Sequence, residues 1–466
     1  MTAFAPIFAP AEIRAAVDDR AWFGAMLEAE LALAAAGAAA GIVTADAAAA
    51  VAECCRVELY DLDTILDESR GAGNPVEPLV RALRAKVGSP AADWVHRGAT
   101  SQDILDSAAM LVASRASRLA LDRATSAAAA AAGLANEHRE TMMASRTLLQ
   151  QAVPTTFGLV AAGWLVALLD STAWLERVLS DGLAAQLGGA AGTLGAFGVD
   201  GPALAGDYAR RLGLAEPTLP WHTNRVRVAE LGAALAALAG ACGKIGRDIT
   251  LLAQTEVGEV AEATGSGQGV SSTMPHKRNP VSSVLAVSCA RGAAAASGVL
   301  TGSLVQEHQR AAGAWHAEWD ALTSALLYAG GAAAAVLSAL EGLEVFPARM
   351  QENVDRAGGI VLAEGVSFAL GDRIGPAAAR ALVGELSVRA AERGTSLRDE
   401  LVADPRVIGA LGPDALAAAL DPAASLGATG ELIDRALAST RSRGGGEPVT
   451  PRPLPRHISV PDEEAR

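Results

Sequence analysis

Long runs of alanine, leucine and valine constrain the fold of this chain more than any other feature. Hydrophobic residues make up 51% of its 466 residues but aromatic residues only 4%, and Ala and Leu are strong helix formers. The clearest run spans residues 228–262, where one apolar stripe recurs at helical spacing: Ile245, Ile249, Leu252, Val260. Polar and charged residues lie off this stripe. The pattern predicts a long helix that buries one face.

Two more long helices are predicted, one after Pro280 and one over residues 307–327. Three long antiparallel helices indicate a bundle, and shorter helical patterns precede and follow it. We therefore predict an all-α fold with an N-terminal helical domain over residues 1–108, a central bundle over 109–345 and a C-terminal helical domain over 346–440. Residues 441–466 are rich in Pro, Gly and charge, which predicts a disordered tail.

Charge and composition exclude several classes of partner. The formal net charge is −14, so the chain lacks the basic stripe that nucleic-acid binding requires. The first twenty residues lack a secretory signal, which predicts a cytoplasmic location. Residues 147–169 carry no charge, but the purely apolar part is too short to span a bilayer of about 30 Å, so no membrane partner is expected. The four cysteines show no CxxC spacing and are expected to be reduced.

The segment at residues 265–280, GSGQGVSSTMPHKRNP, gathers hydroxyl groups and positive charge in an otherwise acidic chain. Its hydroxyl and cationic side chains are Ser271, Ser272, Thr273, His276, Lys277 and Arg278. Asn279 and Pro280 are typical of a helix start, and the N-terminus of a helix attracts anions. We therefore predict that this segment binds an anion, with Lys277 and Asn279 among its ligands.

A second polar segment begins another predicted helix. Thr100 and Asp103, three residues apart, are typical of a capping box. Ser101 and Gln102 would then project at the helix N-terminus, where they are placed to hydrogen-bond a carboxylate. The sequence therefore predicts a second group of anion ligands.

Isolated polar residues allow two interpretations each. Asn74, in a Gly- and Pro-rich stretch, either ends a helix or reaches a site. His222 either packs in the interior or contacts a ligand. A metal site would have to use His308, Glu307, His316 and Glu318, but the chain has no HExxH spacing, so no metal is predicted.

The segment at residues 265–280 resembles the signature of the fumarase/aspartase superfamily. In that signature a Gly-Ser pair precedes Met-Pro, a Lys and an Asn, on a mobile loop that closes over a dicarboxylate. Val270 stands where the family usually has glycine. Spacing does not distinguish Ser271 from Ser272, but the resemblance assigns Ser271 as the reacting hydroxyl and Lys277 as a stabiliser of negative charge.

Three further segments resemble the bacterial 3-carboxy-cis,cis-muconate cycloisomerases of this superfamily: GNPV at 73–76, RTLLQQ at 146–151 and QEHQR at 306–310. Adenylosuccinate lyases carry a histidine where this chain has Leu148 and another near Asn74, so that activity is not expected. The resemblance implies that the substrate carboxylates are held by Thr100, Ser101, Gln102, Arg146, Gln150, Asn279, His222, Asn74 and Arg310.

The resemblance also implies a reaction and an assembly. A carboxylate of a small polycarboxylate substrate adds across a double bond to give a lactone, which needs no cofactor. Members of the superfamily are homotetramers whose sites combine segments of different subunits. Two alternatives stay open: a lyase that releases fumarate by C–N or C–O elimination, and a helical scaffold that has lost catalysis, which Val270 would indicate.

Overall fold

The computed structural model describes residues 3–263 and 277–444, and most of them are helical, so the predicted all-α fold is confirmed. The first helices are short except for one. They are α1 (Ala5–Phe8), α2 (Ala11–Ala15), α3 (Asp19–Ala39), α4 (Ala45–Cys54), α5 (Leu62–Ala72) and α6 (Val76–Val87). Side-chain oxygens of Asp18, Thr44 and Asp61 accept backbone N–H bonds at the starts of α3, α4 and α5, which fixes where these helices begin.

A bundle of long helices forms the middle of the molecule. In chain order its helices, with one short helix between them, are α7 (Ser101–Glu137), α8 (Phe157–Asp181), the short α9 (Gly201–Leu212), α10 (Val226–Leu252), α11 (Val281–Gly302) and α12 (Ala314–Glu341). At 1.5 Å per residue, α7 with 37 residues is about 55 Å long and α10 with 27 is about 40 Å. These lengths determine which residues can meet within one chain.

Small residues let the bundle helices approach closely. A Cβ atom added to Gly243 of α10 would lie 2.5 Å from the Cβ of Ala290 in α11, and one added to Gly246 would lie 2.6 Å from the carbonyl oxygen of Ser283. Glycine is therefore required at both positions. Since Gly246 meets the start of α11 and Gly232 meets Leu300 near its end, the two helices run antiparallel.

Two small antiparallel two-stranded sheets lie at the ends of the long helices, and the first of them is a hairpin. Strand β1 (Met142–Thr147) pairs with β2 (Gln150–Thr156) between α7 and α8, with Thr147 opposite Gln150 beside the turn. Strand β3 (Val260–Glu262), after α10, pairs with β4 (Leu343–Val345), after α12. The second pair joins the ends of α10 and α12 at one end of the bundle.

The C-terminal helices have a core of their own. They are α13 (Pro347–Arg356), α14 (Ala363–Ile374), α15 (Pro376–Arg393), α16 (Leu397–Ala403) and α17 (Pro405–Ala419). Buried Val366, Leu386 and Leu401 belong to this core together with Ala144 of β1, whereas the first helices and the bundle share a second, larger core. The last helix, α18 (Thr429–Gly444), packs instead on the larger core through Ile433 and Ala436. The division into three domains stays a prediction.

Two sequence-based boundaries differ from the structure. Helix α7 runs unbroken across residue 108, where we expected a domain boundary. The helix predicted over residues 307–327 begins instead at Ala314, because residues 303–313 form a loop in which His308 has a φ of 48°. The predicted tail mostly lies outside the described residues.

Helices α3, α8, α10, α11 and α12 are long and apolar enough to cross a membrane by length and composition. Each packs against other helices of the chain. Helix α11 is the least covered, since only 28% of its most apolar stretch is buried. Much of its apolar surface is therefore available to something outside this single chain.

Candidate active site

The start of α7 holds the first group of predicted ligands. Thr100 and Asp103 form the predicted capping box, and the Thr100 N–H donates to Asp103 Oδ2 at 3.0 Å. Ser101 is half-buried at the first helical position. The interpretation of this segment as a capped helix start is therefore confirmed, and contact of Thr100 and Ser101 with a substrate stays a prediction.

The carboxylate of Asp103 connects three segments. It accepts the backbone N–H groups of Gly188 and Gly189 at 3.0 and 2.9 Å, and it lies 2.6 Å from Nε2 of His222. Asp103 is fully buried and His222 is 4% exposed. The structure thus places His222 in a packed, hydrogen-bonded position against the glycine-rich turn.

Gln102 does not lie where we expected. Its side chain is buried, with Nε2 donating to Asp106 Oδ2 at 3.1 Å and to the His222 carbonyl at 2.8 Å, and Oε1 accepting from Arg310 at 3.0 Å. The side chain thus points into the protein, and the contact of Gln102 with a substrate stays a prediction. The first turn of α7 faces partly inward, so this amide is used to bind other protein groups.

Beneath Gln102 lies a buried cluster of charges. The Arg225 guanidinium binds both oxygens of Asp106 at 2.8 and 3.0 Å and contacts Glu318 at 2.5 to 3.1 Å. Trp315 Nε1 donates to Asp106 Oδ1 at 3.0 Å, and the Trp221 ring lies 4.7 Å from the guanidinium carbon. This cluster ties α7 and α12 to the start of α10.

Burial and charge shift the pKa values in this region. Burial raises the pKa of the Glu318 carboxyl, and Arg225 partly offsets that effect. Burial alone would lower the pKa of Arg225, but Asp106 and Glu318 hold it above its usual range. One guanidinium thus faces two carboxylates, which leaves an excess of negative charge inside the protein.

Arg310 lies at the edge of this cluster. Its guanidinium donates to Gln102 Oε1 and to the carbonyl oxygens of Gly189 and Ala190 at 2.5 and 3.1 Å. Burial lowers the pKa of Arg310, and the charges of Asp103 and Asp106 oppose that shift. Its neighbours are neutral oxygens, so its positive charge can still bind a carboxylate, and that role stays a prediction.

Asn74 occupies a helix boundary. Its Oδ1 accepts from the N–H groups of Val76 and Glu77 at 3.0 and 3.2 Å, which caps α6. The neighbouring carbonyl of Gly73 lies 3.1 Å from Nε2 of His316 in α12. The structure thus supports a capping role for Asn74, and its contact with a substrate stays a prediction.

We name this region the Thr100 end of the bundle, comprising Thr100, Gln102, Asp103, His222 and Arg310. Four other predicted ligands lie in what we name the Arg146 end, which comprises Arg146, Gln150, Lys277 and Asn279 together with Glu259, the ion-pair partner of Arg146.

At the Arg146 end the guanidinium of Arg146 is bound by a carboxylate of the same chain. It forms a two-point ion pair with Glu259, at 2.9 and 2.6 Å. Glu259 is fully buried and also accepts from Asn353 Nδ2 at 2.8 Å. A partner 113 residues away thus holds Arg146 in a fixed orientation, with 22% of its side chain exposed.

The hairpin tip next to Arg146 is unusual. Leu148 and Leu149 occupy the turn with φ values of 50° and 67°, a region that non-glycine residues rarely adopt. Their exposed fractions are 98% and 72%. Gln150 follows in β2 and is also exposed. The tip thus presents two strained, solvent-exposed leucines between two predicted ligands.

The start of α11 differs from the prediction. Pro280, not Asn279, occupies the N-cap position, and the helix begins at Val281. The Glu262 carboxylate accepts the N–H groups of Ser282 and Ser283 at 3.0 and 2.7 Å. The anion at this helix N-terminus is therefore the protein's own carboxylate.

Lys277 is exposed and Asn279 half-buried just before α11. Arg278, between them, pairs with Glu344 at 2.5 Å and donates to the Glu262 carbonyl at 2.7 Å. Ser271, the predicted reacting residue, lies outside the described residues. The anion-binding roles of Lys277 and Asn279 stay predictions.

The two ends are far apart within one chain. Helix α7 starts at the Thr100 end and stops five residues before β1, the strand that carries Arg146, while α10 starts beside His222 and ends near Glu259. Both helices are at least about 40 Å long. The structure therefore brings Thr100, His222 and Arg310 together at one end and Arg146, Gln150, Lys277 and Asn279 at the other.

Within residues 3–263 and 277–444, no group of three or more His, Cys, Asp or Glu side chains could hold a metal ion. The four cysteines are free, and burial raises the pKa of the Cys242 thiol to about 12. The site chemistry of the described residues therefore rests on carboxylates, guanidinium groups, amides and hydroxyls.

Two family models match most of the chain. The model described as "Lyase" matches residues 9–294, and the model described as "Adenylosuccinate lyase C-terminus" matches residues 359–436. The first match covers more than half of the chain. The chain belongs to the lyase family, within the fumarase/aspartase superfamily.

Individual relatives of this lyase-family chain are similar over nearly their full length. A 3-carboxy-cis,cis-muconate cycloisomerase of Bradyrhizobium diazoefficiens is 45% identical, covering 94% of this chain and 99% of its own. A nitrosuccinate lyase of Streptomyces davaonensis is 47% identical, covering 93% of both chains. The crystal structure of the 3-carboxy-cis,cis-muconate lactonizing enzyme of Pseudomonas putida has a TM-score of 0.88 at 37% identity, covering 95% of this chain and 100% of that one.

The buried charge cluster was not predicted from the sequence. A signal was nevertheless present: Asp106 follows the apolar pair at 104–105, and Glu318 lies between Trp315 and Trp319. A charged residue within an apolar run must find a partner once buried. That rule marks both carboxylates as paired, but it does not identify Arg225 as the partner.

A second buried pair was also missed. His96 Nδ1 lies 2.5 Å from Glu30, which is 1% exposed. Burial alone would lower the pKa of His96, but the charge of Glu30 raises it above its usual value. His96 stands four residues before Thr100, so this pair ties the start of the Thr100 end to α3.

Proposed function

We propose that this protein is a cytoplasmic cycloisomerase that converts 3-carboxy-cis,cis-muconate into a carboxymuconolactone during protocatechuate breakdown. The observation that carries this proposal is the 45% identity, over 94% of the chain, to a cycloisomerase of that name. The shared fold of the lactonizing enzyme supports it. Segments at both ends of the bundle also resemble cycloisomerases.

The chemistry requires stabilisation of negative charge. One substrate carboxylate forms a C–O bond to an alkene carbon, and the alkene electrons move to the carbon next to a second carboxylate. This carbon then takes a proton. Before protonation that carboxylate carries nearly two charges, which fixed cations in a dry site stabilise. An ammonium about 4 Å away, at an effective dielectric of about 20, contributes roughly 4 kcal/mol, or about three decades in rate.

Residues of this chain fit those tasks. Lys277 would face the developing charge, and Ser271 would give the proton to carbon. Arg146 and Gln150 at the Arg146 end, and Thr100, Ser101 and Arg310 at the Thr100 end, would hold the remaining carboxylates. The Arg146–Glu259 ion pair supports this division, because it fixes the guanidinium before substrate arrives.

A complete site needs two copies of the chain, since its two groups of ligands lie about 40 Å apart in one copy. We propose a homotetramer in which the Thr100 end of one copy meets the Arg146 end of another. Helix α11 supports this assembly, because Arg291 is its one charged residue and it exposes Val284 and Val299 at 54% and 45%. An apolar surface of this kind is typical of subunit contacts.

A turnover assay with 3-carboxy-cis,cis-muconate tests the proposal. The absorbance of the conjugated diene should decline as the lactone forms, and the Ser271→Ala variant should leave the substrate unchanged. A wild-type protein that is folded and tetrameric but leaves the diene intact would contradict the proposed activity. If only Val270→Gly were active, the scaffold alternative would be favoured.

The second candidate function is a lyase acting on a substituted succinate. It is favoured by the 47% identity to the nitrosuccinate lyase. Elimination from nitrosuccinate would break a C–N bond and give fumarate and nitrite. Its carbanionic intermediate would be of the same kind, but it would form by loss of a proton and then expel nitrite. Fumarate formation from nitrosuccinate, with the muconate diene left intact, would identify this function.

A further inference from the structure

The amide of Gln102 connects the buried charge cluster to Arg310. We propose that Gln102, oriented by Asp106, is a positioning residue that aims the Arg310 guanidinium at a substrate carboxylate. This inference rests on the proposed function, since it assigns Arg310 to the carboxylate-binding group. It assigns no contact between Gln102 and the substrate.

The orientation of the amide is determined by its neighbours. Its Nε2 group has two acceptors, Asp106 Oδ2 at 3.1 Å and the His222 carbonyl at 2.8 Å. A flipped amide would place Oε1 against these two oxygens, which cannot donate a hydrogen bond. Oε1 therefore faces Arg310, whose Nη1 lies 3.0 Å away.

Asp106 can act as a fixed support. Both of its oxygens bind Arg225, and Oδ1 also accepts from Trp315. A third donor to Oδ2 is Gln186, at 3.3 Å. Because each contact is buried, moving Asp106 would leave several polar groups unpaired. Gln102 is thus held by a group that cannot move easily.

The loop that carries Arg310 is attached to the cluster twice. Gln306, four residues before Arg310, donates to Glu318 at 3.1 Å. Gln102 binds Arg310 itself. Asp106 and Glu318 thus hold this loop at two points, each through an amide side chain. The guanidinium is fixed in place by neutral hydrogen-bond acceptors and forms no ion pair with them, so it can bind a charged ligand.

Variants of Gln102 test this role in the full-length protein. Gln102→Leu should raise KM by about tenfold, as expected for loss of one charge-assisted hydrogen bond, with a smaller change in kcat. In an Arg310→Leu background, where turnover is lost, the same change should add little to the loss of ligand binding, because Gln102 acts through Arg310. Gln351→Leu is a matched control, since Gln351 donates to Asp355 four residues on, at 2.9 Å on an exposed surface.

A second variant separates positioning from folding. Gln102→Glu places a carboxylate between Asp106 and Arg310 and should neutralise the guanidinium. Lowering the pH protonates that carboxyl group, which can then donate to Asp106 and accept from Arg310 as the amide does. KM of this variant should fall toward the wild-type value as the pH falls, while Gln351→Leu should follow the wild type.

Tricarballylate is a saturated tricarboxylate, which has no double bond and cannot react. Its binding, measured by calorimetry, provides a readout independent of turnover. If the wild type binds it and both Gln102→Leu and Arg310→Leu weaken binding by similar factors, the inference holds even when neither substrate is converted, and the proposed function alone fails. Unchanged KM and unchanged binding in Gln102→Leu would overturn the inference. So would fully additive effects of the two substitutions, or a wild type that does not bind the probe.

Discussion

The two ends of the bundle differ in how completely one chain satisfies them. At the Thr100 end, the polar groups of Gln102 and Asp103 are buried and hydrogen-bonded within the chain. At the Arg146 end, the ion pair to Glu259 is equally well formed, but the tip beside it exposes Leu148 and Leu149 in a strained turn. A single copy of the chain satisfies the polar groups of the Thr100 end, whereas it leaves apolar side chains of the Arg146 end exposed.

This difference indicates where a second copy of the proposed tetramer would dock. Leucine with φ > 0 costs about 1–2 kcal/mol per residue, and exposed leucine gains nothing from burial. A strained conformation of this kind persists where surrounding structure holds it, and for this tip that structure would be a second copy of the chain. The comparison therefore predicts that the Arg146 end docks while the Thr100 end receives it.

The largest expected effect concerns the residues that handle charge at the Arg146 end. Ser271→Ala and Lys277→Met should each abolish turnover, by about three decades or more for Lys277. Circular dichroism and tetramer size should match the wild type, because each change replaces a side chain to which the proposal assigns a chemical role. A near-normal rate in either variant would show that the substituted residue has no essential role in catalysis.

The next effect concerns stability at the Thr100 end. Arg225→Met should destabilise the protein by about 3–5 kcal/mol, because it leaves Asp106 and Glu318 buried and unpaired. Thermal melting measures this change. As a control, Arg81→Met removes an exposed partner of Glu68 and Glu77 and should change the melting temperature little. Equal effects of the two substitutions would contradict the contrast between buried and exposed pairs.

A smaller effect should follow from relieving the turn. Replacing Leu148 by Asn and Leu149 by Gly gives a pair that favours this turn type, so the hairpin itself should become more stable by about 1 kcal/mol or more. Turnover should nevertheless fall. The variant tetramer should also be weaker, so that it dissociates at protein concentrations at which the wild type is still assembled. Sedimentation and kcat/KM measure these changes. A variant with normal assembly and turnover would show that the tip contacts nothing.

The smallest effect is a pH dependence confined to the Thr100 end. The pKa of His96 is raised by Glu30, so the stability from this pair is complete below about pH 6.5 and is lost as the pH rises through the raised value. Glu30→Gln should therefore destabilise the protein more at pH 6 than at pH 9. Glu259→Gln, at the other end, is the control and should have the same effect at both pH values, because no histidine takes part in that ion pair.

Local features of the fold were predictable from sequence. The capping box of Thr100 and Asp103 depends on residues three positions apart, and the long helices follow from periodic apolar residues. The predicted start of α12 was wrong. Helical periodicity continues into residues 303–313, but polar side chains of this stretch bind distant groups instead.

Long-range partners were not predictable in the same way. The His222 carbonyl accepts from Gln102 across 120 residues, and Glu259 binds Arg146 across 113. Nothing in the local pattern of Gln102 distinguishes an inward-facing amide from a substrate ligand. The resemblance indicated candidate segments, but only the packing of α7 against the glycine-rich turn decides which side chains face inward.

The most direct test of the central claim is complementation between two inactive variants. Lys277→Met damages the Arg146 end, and Arg310→Leu damages the Thr100 end. When the two chains are co-expressed and hybrid tetramers are verified by native mass spectrometry, some sites should combine two intact ends, so activity should return to a substantial fraction of the wild-type level. Hybrid tetramers as inactive as the parent variants would contradict a site built from opposite ends of different copies.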